Sequence, residues 1–210
     1  MEKELIKDEK SRLRKKIKSE LAVFMADTKK RTDAEKKAAS VFLSSSYYKN
    51  SSFILCFISA ENEIPTVQII EKALRDNKTV AVPRVRSDSG SECQMDFYFL
   101  ENKPVDEQTE KGAFGISEPL PSLKIVQVSQ IPENSLMVLP GLGFTADGKR
   151  LGKGKGFYDR YITELSAENT QFGMSCKKIG YCFNFQVRDN IPVDEHDMKV
   201  DVVITENGIY

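Results

Sequence analysis

The sequence has one histidine, no tryptophan and no long apolar run, and these absences exclude several classes of protein. A histidine-based metal centre would lack ligands, and a Ser-His-Asp hydrolase would lack its Gly-x-Ser-x-Gly turn. No run of eighteen apolar residues is present to span a membrane, and the charged first twenty residues do not resemble a secretory signal. We therefore expect a cytoplasmic protein in which His196, between acidic residues, lies in an exposed loop.

Neither sign of charge is in excess, which argues against a nucleic-acid or membrane partner. The chain has 31 lysine and arginine residues and 31 aspartate and glutamate residues, so its formal net charge is zero. No overall field then attracts a polyanion or an anionic membrane surface. Any site for an anion has to be local.

Cysteine is sparse and widely spaced. The four cysteines, Cys56, Cys93, Cys176 and Cys182, form no Cys-x-x-Cys pair, and Cys56 and Cys182 lie in apolar runs. This spacing is not that of a zinc site, and disulfides are rare in a reducing compartment. We predict reduced, buried thiols.

The spacing of apolar residues divides the chain into helices and short strands. The predicted helices cover residues 4–26, 32–45, 66–78 and 158–168, with a capping box at Thr32 and an N-cap at Thr66. The predicted strands cover residues 52–59, 79–85, 94–100, 135–140, 177–183 and 200–206, and residues 101–135 are irregular. A helix between two buried strands is typical of a parallel sheet. We predict one α/β domain over residues 1–210, with three layers and a mostly parallel central sheet flanked by helices.

The stretch GKRLGKGKGFYD, residues 148–159, combines glycines with cations between a predicted strand and a predicted helix. Glycines allow positive φ, so successive amides at a helix N-terminus can surround an anion. Arg150, Lys153 and Lys155 would add charged contacts to a phosphate. The spacing is neither that of a Walker A loop nor that of a dinucleotide fingerprint, and a solvated basic loop is the alternative.

Asp159 follows this loop closely and has two interpretations. A carboxylate repels a bound phosphate unless a cation lies between them, and Mg²⁺ commonly combines one or two carboxylates with phosphate oxygens. A carboxylate in the first turn of a helix also stabilises that helix by itself. The residue alone does not decide between these.

The stretch LPGLGFTADGKRLGKGKGFYDRYI, residues 139–162, resembles the signature of the 5-formyltetrahydrofolate cyclo-ligase family. KSRLR at 10–14, ISAENEIPT at 58–66, AVPRV, FGISEP and DMKVD at 197–201 also resemble family stretches, in the same order along nearly the whole chain. Two departures are visible: Phe157 stands where tyrosine is usual, and Phe114 stands where tryptophan is common. The first removes a hydroxyl group and the second alters packing near the site.

The resemblance implies a reaction and a fold. Family members convert 5-formyltetrahydrofolate to 5,10-methenyltetrahydrofolate with ATP as co-substrate and Mg²⁺ as metal, releasing ADP and phosphate. The expected fold is Rossmann-like, of the NagB/RpiA/CoA-transferase type. The expected protein is a monomer that binds ATP and 5-formyltetrahydrofolate, with or without a polyglutamate tail, and binds neither nucleic acid nor membrane.

The resemblance also implies the site residues. The ATP site would comprise Lys10, Arg14, Arg150, Leu151, Gly152, Lys153, Gly154, Lys155, Gly156, Phe157 and Tyr158. The folate site would comprise Ile58, Glu63, Lys153, Gly154, Lys155, Gly156 and Phe157. Arg150, Lys155 and Tyr158 would be catalytic, and Asp159 and Asp197 would bind Mg²⁺.

Most of these residues have an ordinary structural interpretation without the resemblance. Lys10 and Arg14 would be solvated charges on one helix face, Asp197 a surface acid, Glu63 a turn residue and Ile58 a core residue. Met95 and Phe97 alternate on one strand face, where core packing is the more frequent meaning and a folate-lining role the alternative.

Three rival functions follow from the same sequence. An α/β enzyme acting on phosphorylated sugars or acyl-CoA would account for the glycine loop but not for the accompanying Lys10, Arg14, Asp159 and Asp197. A non-catalytic folate- and nucleotide-binding regulatory module would have no need of both candidate metal ligands. A nucleic-acid binder would show net positive charge and interleaved aromatic residues.

Overall fold

The computed structural model describes residues 2–86, 94–112, 115–168 and 176–210, and Cys93 and Phe114 lie outside the described residues. The helices are α1 (Glu2–Ala26), α2 (Thr28–Ser44), α3 (Ser46–Asn50), α4 (Val67–Arg75) and α5 (Phe157–Glu168). The first strands are β1 (Phe53–Cys56), β2 (Thr79–Arg86), β3 (Gln94–Phe99), β4 (Thr109–Lys111), β5 (Ser117–Pro119) and β6 (Ser135–Leu139). The later strands are β7 (Gly143–Phe144), β8 (Arg150–Leu151), β9 (Lys177–Tyr181), β10 (Val202–Thr205) and β11 (Gly208–Ile209).

Within these residues, seven strands form one sheet in the order β11-β10-β9-β6-β1-β2-β3. The four central pairings are parallel, and only β2 with β3 and β10 with β11 are antiparallel. Every residue of β1, β6 and β10 is buried, as expected for parallel strands that are covered on both faces. The predicted mostly parallel sheet is confirmed, and β3 is an antiparallel edge strand of it.

Alternate residues of the central strands enter two hydrophobic clusters, one on each face of the sheet. In β1, Ile54 and Cys56 pack with side chains of α1, α2 and α4, whereas Phe53 and Leu55 pack with Tyr161, Ile162 and Leu165 of α5. Period-two alternation along a strand produces this division. The predicted three layers, helices on both faces of one sheet, are confirmed.

The order of the strands creates a crevice between β1 and β6. From β1 the chain continues to β2 and β3 on one side, and it then returns to place β6 on the other side of β1. The loops that follow β1 and β6 therefore leave the sheet in different directions. Ligands of open parallel α/β sheets bind at this point, beyond the carboxyl ends of the strands.

The second helix begins four residues before the predicted start at Thr32. Asp27 is its N-cap, and the Asp27 side chain accepts a hydrogen bond from the amide of Lys30 at 3.0 Å. Thr32 therefore lies inside the helix. An aspartate N-cap satisfies a free amide as well as threonine does, so the capping-box pattern at Thr32 was a wrong start signal.

The helix predicted at 66–78 begins at the expected place but ends at Arg75. Asn77 adopts a left-handed conformation with φ 57°, which ends the helical path. The Thr66 side chain makes no capping hydrogen bond. Its hydroxyl instead donates to the Phe57 carbonyl at 2.7 Å and accepts from the Ser59 amide at 3.0 Å, which fixes the loop after β1.

The structure also decides two smaller expectations, one on the cysteines and one on the segment 101–135. Cys56, Cys176 and Cys182 are buried free thiols, and burial raises the pKa of Cys176 to about 12, so these three agree with the prediction. The segment predicted as irregular, 101–135, contains the antiparallel pair β4 and β5, which packs against β2. Across the described ranges, no helix is both long enough and apolar enough to cross a membrane.

Candidate active site

A cleft of about 1120 Å³ opens beyond the carboxyl ends of β1 and β6. Its lining includes residues of α1, of the loop after β1, of the segment 152–160 and of the segment 194–198. The predicted site residues that line it are Lys10, Arg14, Ile58, Glu63, Arg150, Gly152, Lys153, Gly154, Lys155, Gly156, Phe157, Tyr158, Asp159 and Asp197. Segments far apart in the sequence therefore meet at one place.

Leu151 is the predicted site residue that does not line the cleft. Its side chain is buried in a cluster with Ile17, Leu142 and Ile191, and its carbonyl accepts a hydrogen bond from the amide of Leu142 at 2.8 Å. Adjacent residues of a strand point to opposite sides, so the position next to Arg150 in β8 faces the core.

The glycine loop connects the β7–β8 hairpin to the first turn of α5. Gly154 and Gly156 have φ of 98° and 68°, in the left-handed region that favours glycine. Lys153, Gly154 and Lys155 are exposed along the cleft. Arg14 of α1 holds the start of the loop, because its Nε donates to the Gly152 carbonyl at 2.9 Å.

Arg150 and Asp159 form a buried ion pair at the base of this loop. Arg150 is only 5% exposed, and its guanidinium donates to Asp159 Oδ1 at 2.5 Å and to the Pro140 carbonyl at 3.3 Å. The amide of Met198 donates to the same carboxylate oxygen at 3.0 Å. The pair therefore joins β8, α5 and the C-terminal segment. The buried Nε of Arg150 has no hydrogen-bond partner among the described residues.

Lys10 is also buried, at 6% exposure, instead of being a solvated helix charge. Its Nζ donates to Asp194 Oδ2 at 2.6 Å and to Asp197 Oδ2. The amide of Asp194 donates to the same oxygen of Asp197 at 2.7 Å. The hydrogen bond from Lys10 holds the pKa of Asp194 below its ordinary value. Sequence reasoning missed Asp194, although it lies three residues before the predicted metal ligand.

Glu63 is fixed by its own turn and pairs with the glycine loop. Its Oε2 accepts the Ala60 amide at 2.8 Å, and its Oε1 lies 2.7 Å from Nζ of Lys153. Tyr158 lies nearby and is half-buried. Burial first, and then the charge of Glu63, raise the pKa of Tyr158 well above its ordinary value, so the phenol stays neutral and keeps its proton to donate.

The two predicted metal ligands were tested against the geometry. No group of three or more His, Cys, Asp or Glu side chains able to hold a metal is present in the part of the chain that the structure describes. Asp159 uses Oδ1 and Asp197 uses Oδ2 for the bonds above, and within the described ranges their other oxygens accept no hydrogen bond. Each carboxylate therefore keeps one oxygen for a ligand, and Mg²⁺ at either of them would need further oxygens, such as those of a phosphate.

An apolar wall borders the cleft on the side of β2 and β3. Pro83, Val85 and Met95 line it, together with Glu118 of β5, and of these only Met95 had a folate-lining role as an alternative prediction. Met95 is therefore both buried and part of the wall, whereas Phe97 belongs to the core and packs on Tyr161 with ring centroids 4.9 Å apart. His196 is exposed at the rim, as predicted.

Comparison with known proteins gives one consistent family. A family model described as the 5-formyltetrahydrofolate cyclo-ligase family matches residues 6–206. The 5-formyltetrahydrofolate cyclo-ligase of Mus musculus is 33% identical over 161 residues, covering 77% of this chain and 76% of the relative. A probable 5-formyltetrahydrofolate cyclo-ligase of Caenorhabditis elegans is 30% identical, covering 91% of this chain and 94% of the relative. The solution structure of the Aquifex aeolicus 5,10-methenyltetrahydrofolate synthetase superposes with a TM-score of 0.71 at 28% identity, covering 95% of this chain and 91% of that one.

Replacing Asp159 by alanine is expected to lower the free energy of unfolding by about 3–5 kcal/mol, because the buried guanidinium of Arg150 loses its counter-charge. Chemical denaturation measures the change. The double variant Arg150→Met with Asp159→Leu removes both charges and should cost less than Asp159→Ala alone. Asp189→Ala, at an exposed position, is the control. Equal stability of Asp159→Ala and the control would contradict the structural importance of the pair.

Replacing Asp194 by asparagine is expected to make the free energy of unfolding less dependent on pH in the acid range. Because the folded-state pKa of Asp194 is lowered, its stabilisation is complete above the ordinary aspartate pKa, about 3.9, and is lost as pH falls through the folded-state pKa. The variant should therefore be less stable than the wild type near neutral pH, and the difference should shrink in acid. Urea unfolding across this pH range measures it, and a difference that stays constant with pH would refute the assignment.

Proposed function

Because this chain belongs to the 5-formyltetrahydrofolate cyclo-ligase family, we propose that it closes 5-formyltetrahydrofolate to 5,10-methenyltetrahydrofolate, with ATP as co-substrate and Mg²⁺ as metal. One observation carries the proposal at the level of residues. The cleft brings the glycine loop, the basic pair Lys10 and Arg14, Glu63 and two carboxylates into one space. These are the groups that a nucleotide and a folate would need side by side.

The chemistry needs charge and alignment more than acid–base groups. The formyl oxygen attacks the γ-phosphorus of ATP, the bond from that phosphorus to the bridging oxygen breaks, and ADP leaves. The amine N10 then attacks the formyl carbon, the carbon–oxygen bond breaks, inorganic phosphate departs with the electron pair, and the proton of N10 is released. Both steps proceed faster when the reactants are aligned and the phosphoryl charge is stabilised.

The glycine loop is proposed to bind the phosphates. Lys153 and Lys155 are exposed along the cleft beside Gly154 and Gly156, where backbone and ammonium donors can both approach an anion. Arg150 lines the cleft at the base of this loop and would add its charge to the phosphate site. Arg14 would keep the loop in place through Gly152, and Tyr158 would donate its retained proton.

Glu63 and Ile58 are proposed to bind the pterin ring. A carboxylate accepts two parallel N–H donors, which suits the amino-pyrimidinone edge of a pterin. The turn that fixes Glu63 holds this carboxylate at the cleft, and the buried Ile58 supplies an apolar wall beside it. Phe157 lacks the hydroxyl that is usual in the family, but it retains an aromatic face.

Asp159 and Asp197 are proposed to hold Mg²⁺ through the oxygens that are free of hydrogen bonds. When bound, the metal would neutralise part of the phosphate charge. We also propose that the protein works as a cytoplasmic monomer on free small molecules. Exposed Lys3 and Lys7 at the cleft would suit the anionic tail of a polyglutamylated substrate.

The purified protein is expected to form the methenyl product, detected by its near-UV absorbance, only when 5-formyltetrahydrofolate, ATP and Mg²⁺ are all present. Lys155→Ala should lower kcat by about a hundredfold, because one donor to the developing phosphoryl charge is lost. Lys124→Ala, at an exposed position away from the cleft, is the matched control. Binding of both ligands without product would favour the non-catalytic module instead.

Glu63→Gln is expected to tighten ATP binding in the absence of folate by about two- to fivefold, since Lys153 is released from a partly exposed ion pair. Isothermal titration with ATP and Mg²⁺ measures the change. In a Lys153→Ala background the same substitution should have no effect. Equal affinities of the wild type and Glu63→Gln would show that Lys153 does not exchange Glu63 for phosphate.

A further inference from the structure

Glu118 is a buried acid at the apolar wall of the cleft. Its side chain is only 7% exposed, and it lines the cleft together with Val85, Met95 and Ile116. None of these neighbours in the wall carries a charge. A carboxylate in such a place needs hydrogen-bond donors, because burying it without them is costly.

The protein itself supplies poor donors to this carboxylate. The amide of Val85 lies 3.4 Å from Oε1, and Nε of Arg84 lies 4.0 Å from Oε2. Both distances exceed those of strong charged hydrogen bonds. Glu118 therefore retains acceptor capacity within the described residues.

A need to neutralise the charge of Arg84 does not explain why Glu118 is buried at this place. Arg84 donates to the Pro119 carbonyl at 2.6 Å and pairs with Glu110 at 2.8 Å, so its guanidinium has better partners. Glu110 lies opposite Glu118 in the β4–β5 pair, is 43% exposed and does not line the cleft. Glu118 therefore lines the cleft, where a ligand can reach it, whereas Glu110 does not.

The chain also keeps space for this carboxylate. A Cβ atom at Gly112 would lie 2.3 Å from both the carboxyl carbon and Oε2 of Glu118, so any other residue there would displace the side chain. The absence of a side chain at position 112 thus permits the observed position of the acid.

We infer that Glu118 is a further substrate-recognition residue, whose carboxylate accepts a hydrogen bond from a secondary-amine N–H of the bound folate. This inference rests on the proposed function. Glu63 takes the amino-pyrimidinone edge, and a carboxylate there is occupied by two donors. The secondary amines of the reduced pterin ring and of the arylamine remain, and Glu118 is the second acid that the apolar part of the cleft offers them.

The test is equilibrium binding of 5-formyltetrahydrofolate without ATP, by isothermal titration. Glu118→Gln should raise the folate Kd by about tenfold or more, since a hydrogen bond to a charged group is lost, and should leave the Kd for ATP unchanged. Glu110→Gln removes the other acid beside Arg84 and is expected to leave folate affinity unchanged. Gly112→Ala should weaken folate binding while the carboxylate is still present.

The outcomes separate the two claims. If Glu118→Gln binds folate as tightly as the wild type, Glu118 does not recognise the substrate and the inference is overturned. If Glu110→Gln produces the same loss as Glu118→Gln, both acids act through Arg84 and the inference is overturned as well. A wild-type protein that does not bind 5-formyltetrahydrofolate overturns the proposed function, and the inference with it. Should Glu118→Gln fail to fold, Glu118→Asp keeps the charge beside Arg84, withdraws the carboxylate by one methylene group and should weaken folate binding in the same way.

Discussion

The cleft depends on ion pairs that join acids and cations from distant parts of the chain. Lys10 pairs with Asp194 and Asp197, Arg150 with Asp159, and Lys153 with Glu63. Each of these carboxylates would repel a nearby phosphate unless a metal, a pterin or a basic residue were bound to it. The ion pairs provide that neutralisation. A ligand that paired with one of these residues would have to exchange partners with it, so the attraction gained would be reduced by the pair that is lost.

These pairs form because of the sheet topology. The chain changes direction between β1 and β6, so the loops after these two strands diverge over the same edge. The loop after β1 presents Ile58 and Glu63, and the longer excursion after β6 presents the glycine loop and α5. Helix α1 and the segment at 194–198 then close the sides. A single crevice thus collects residues from distant parts of the chain, such as Lys10 and Asp197, which are 187 positions apart.

Local pattern accounts for the parts of this structure that the sequence predicted. Apolar runs gave the parallel strands, and the glycine and lysine spacing located the loop before α5. Contacts between distant segments could not be predicted in this way, which explains the unexpected burial of Lys10 and the omission of Asp194 and Glu118. The predicted site includes Leu151 because this residue lies within a motif that is continuous in the sequence. Strand alternation instead directs it into the core, while Arg150 beside it lines the cleft. The early start of α2 reflects a choice between two competent caps, Asp27 and Thr32, that local sequence alone does not rank.

The polar groups of the cleft also explain how the proposed reaction is compatible with a single histidine. His196 is exposed at the rim, where its ring lies 3.5 Å from Glu195 and its amide donates to Asp194. Burial and the nearby charge of Glu63 raise the pKa of Tyr158 well above its ordinary value, so its phenol keeps its proton at ordinary pH. The other polar side chains that line the cleft are cations and carboxylates, together with the hydroxyls of Ser117 and Thr163. Such a set is suited to moving a phosphoryl group, where charge must be balanced at each stage, because a phosphorylated oxygen leaves without needing a protein acid to protonate it.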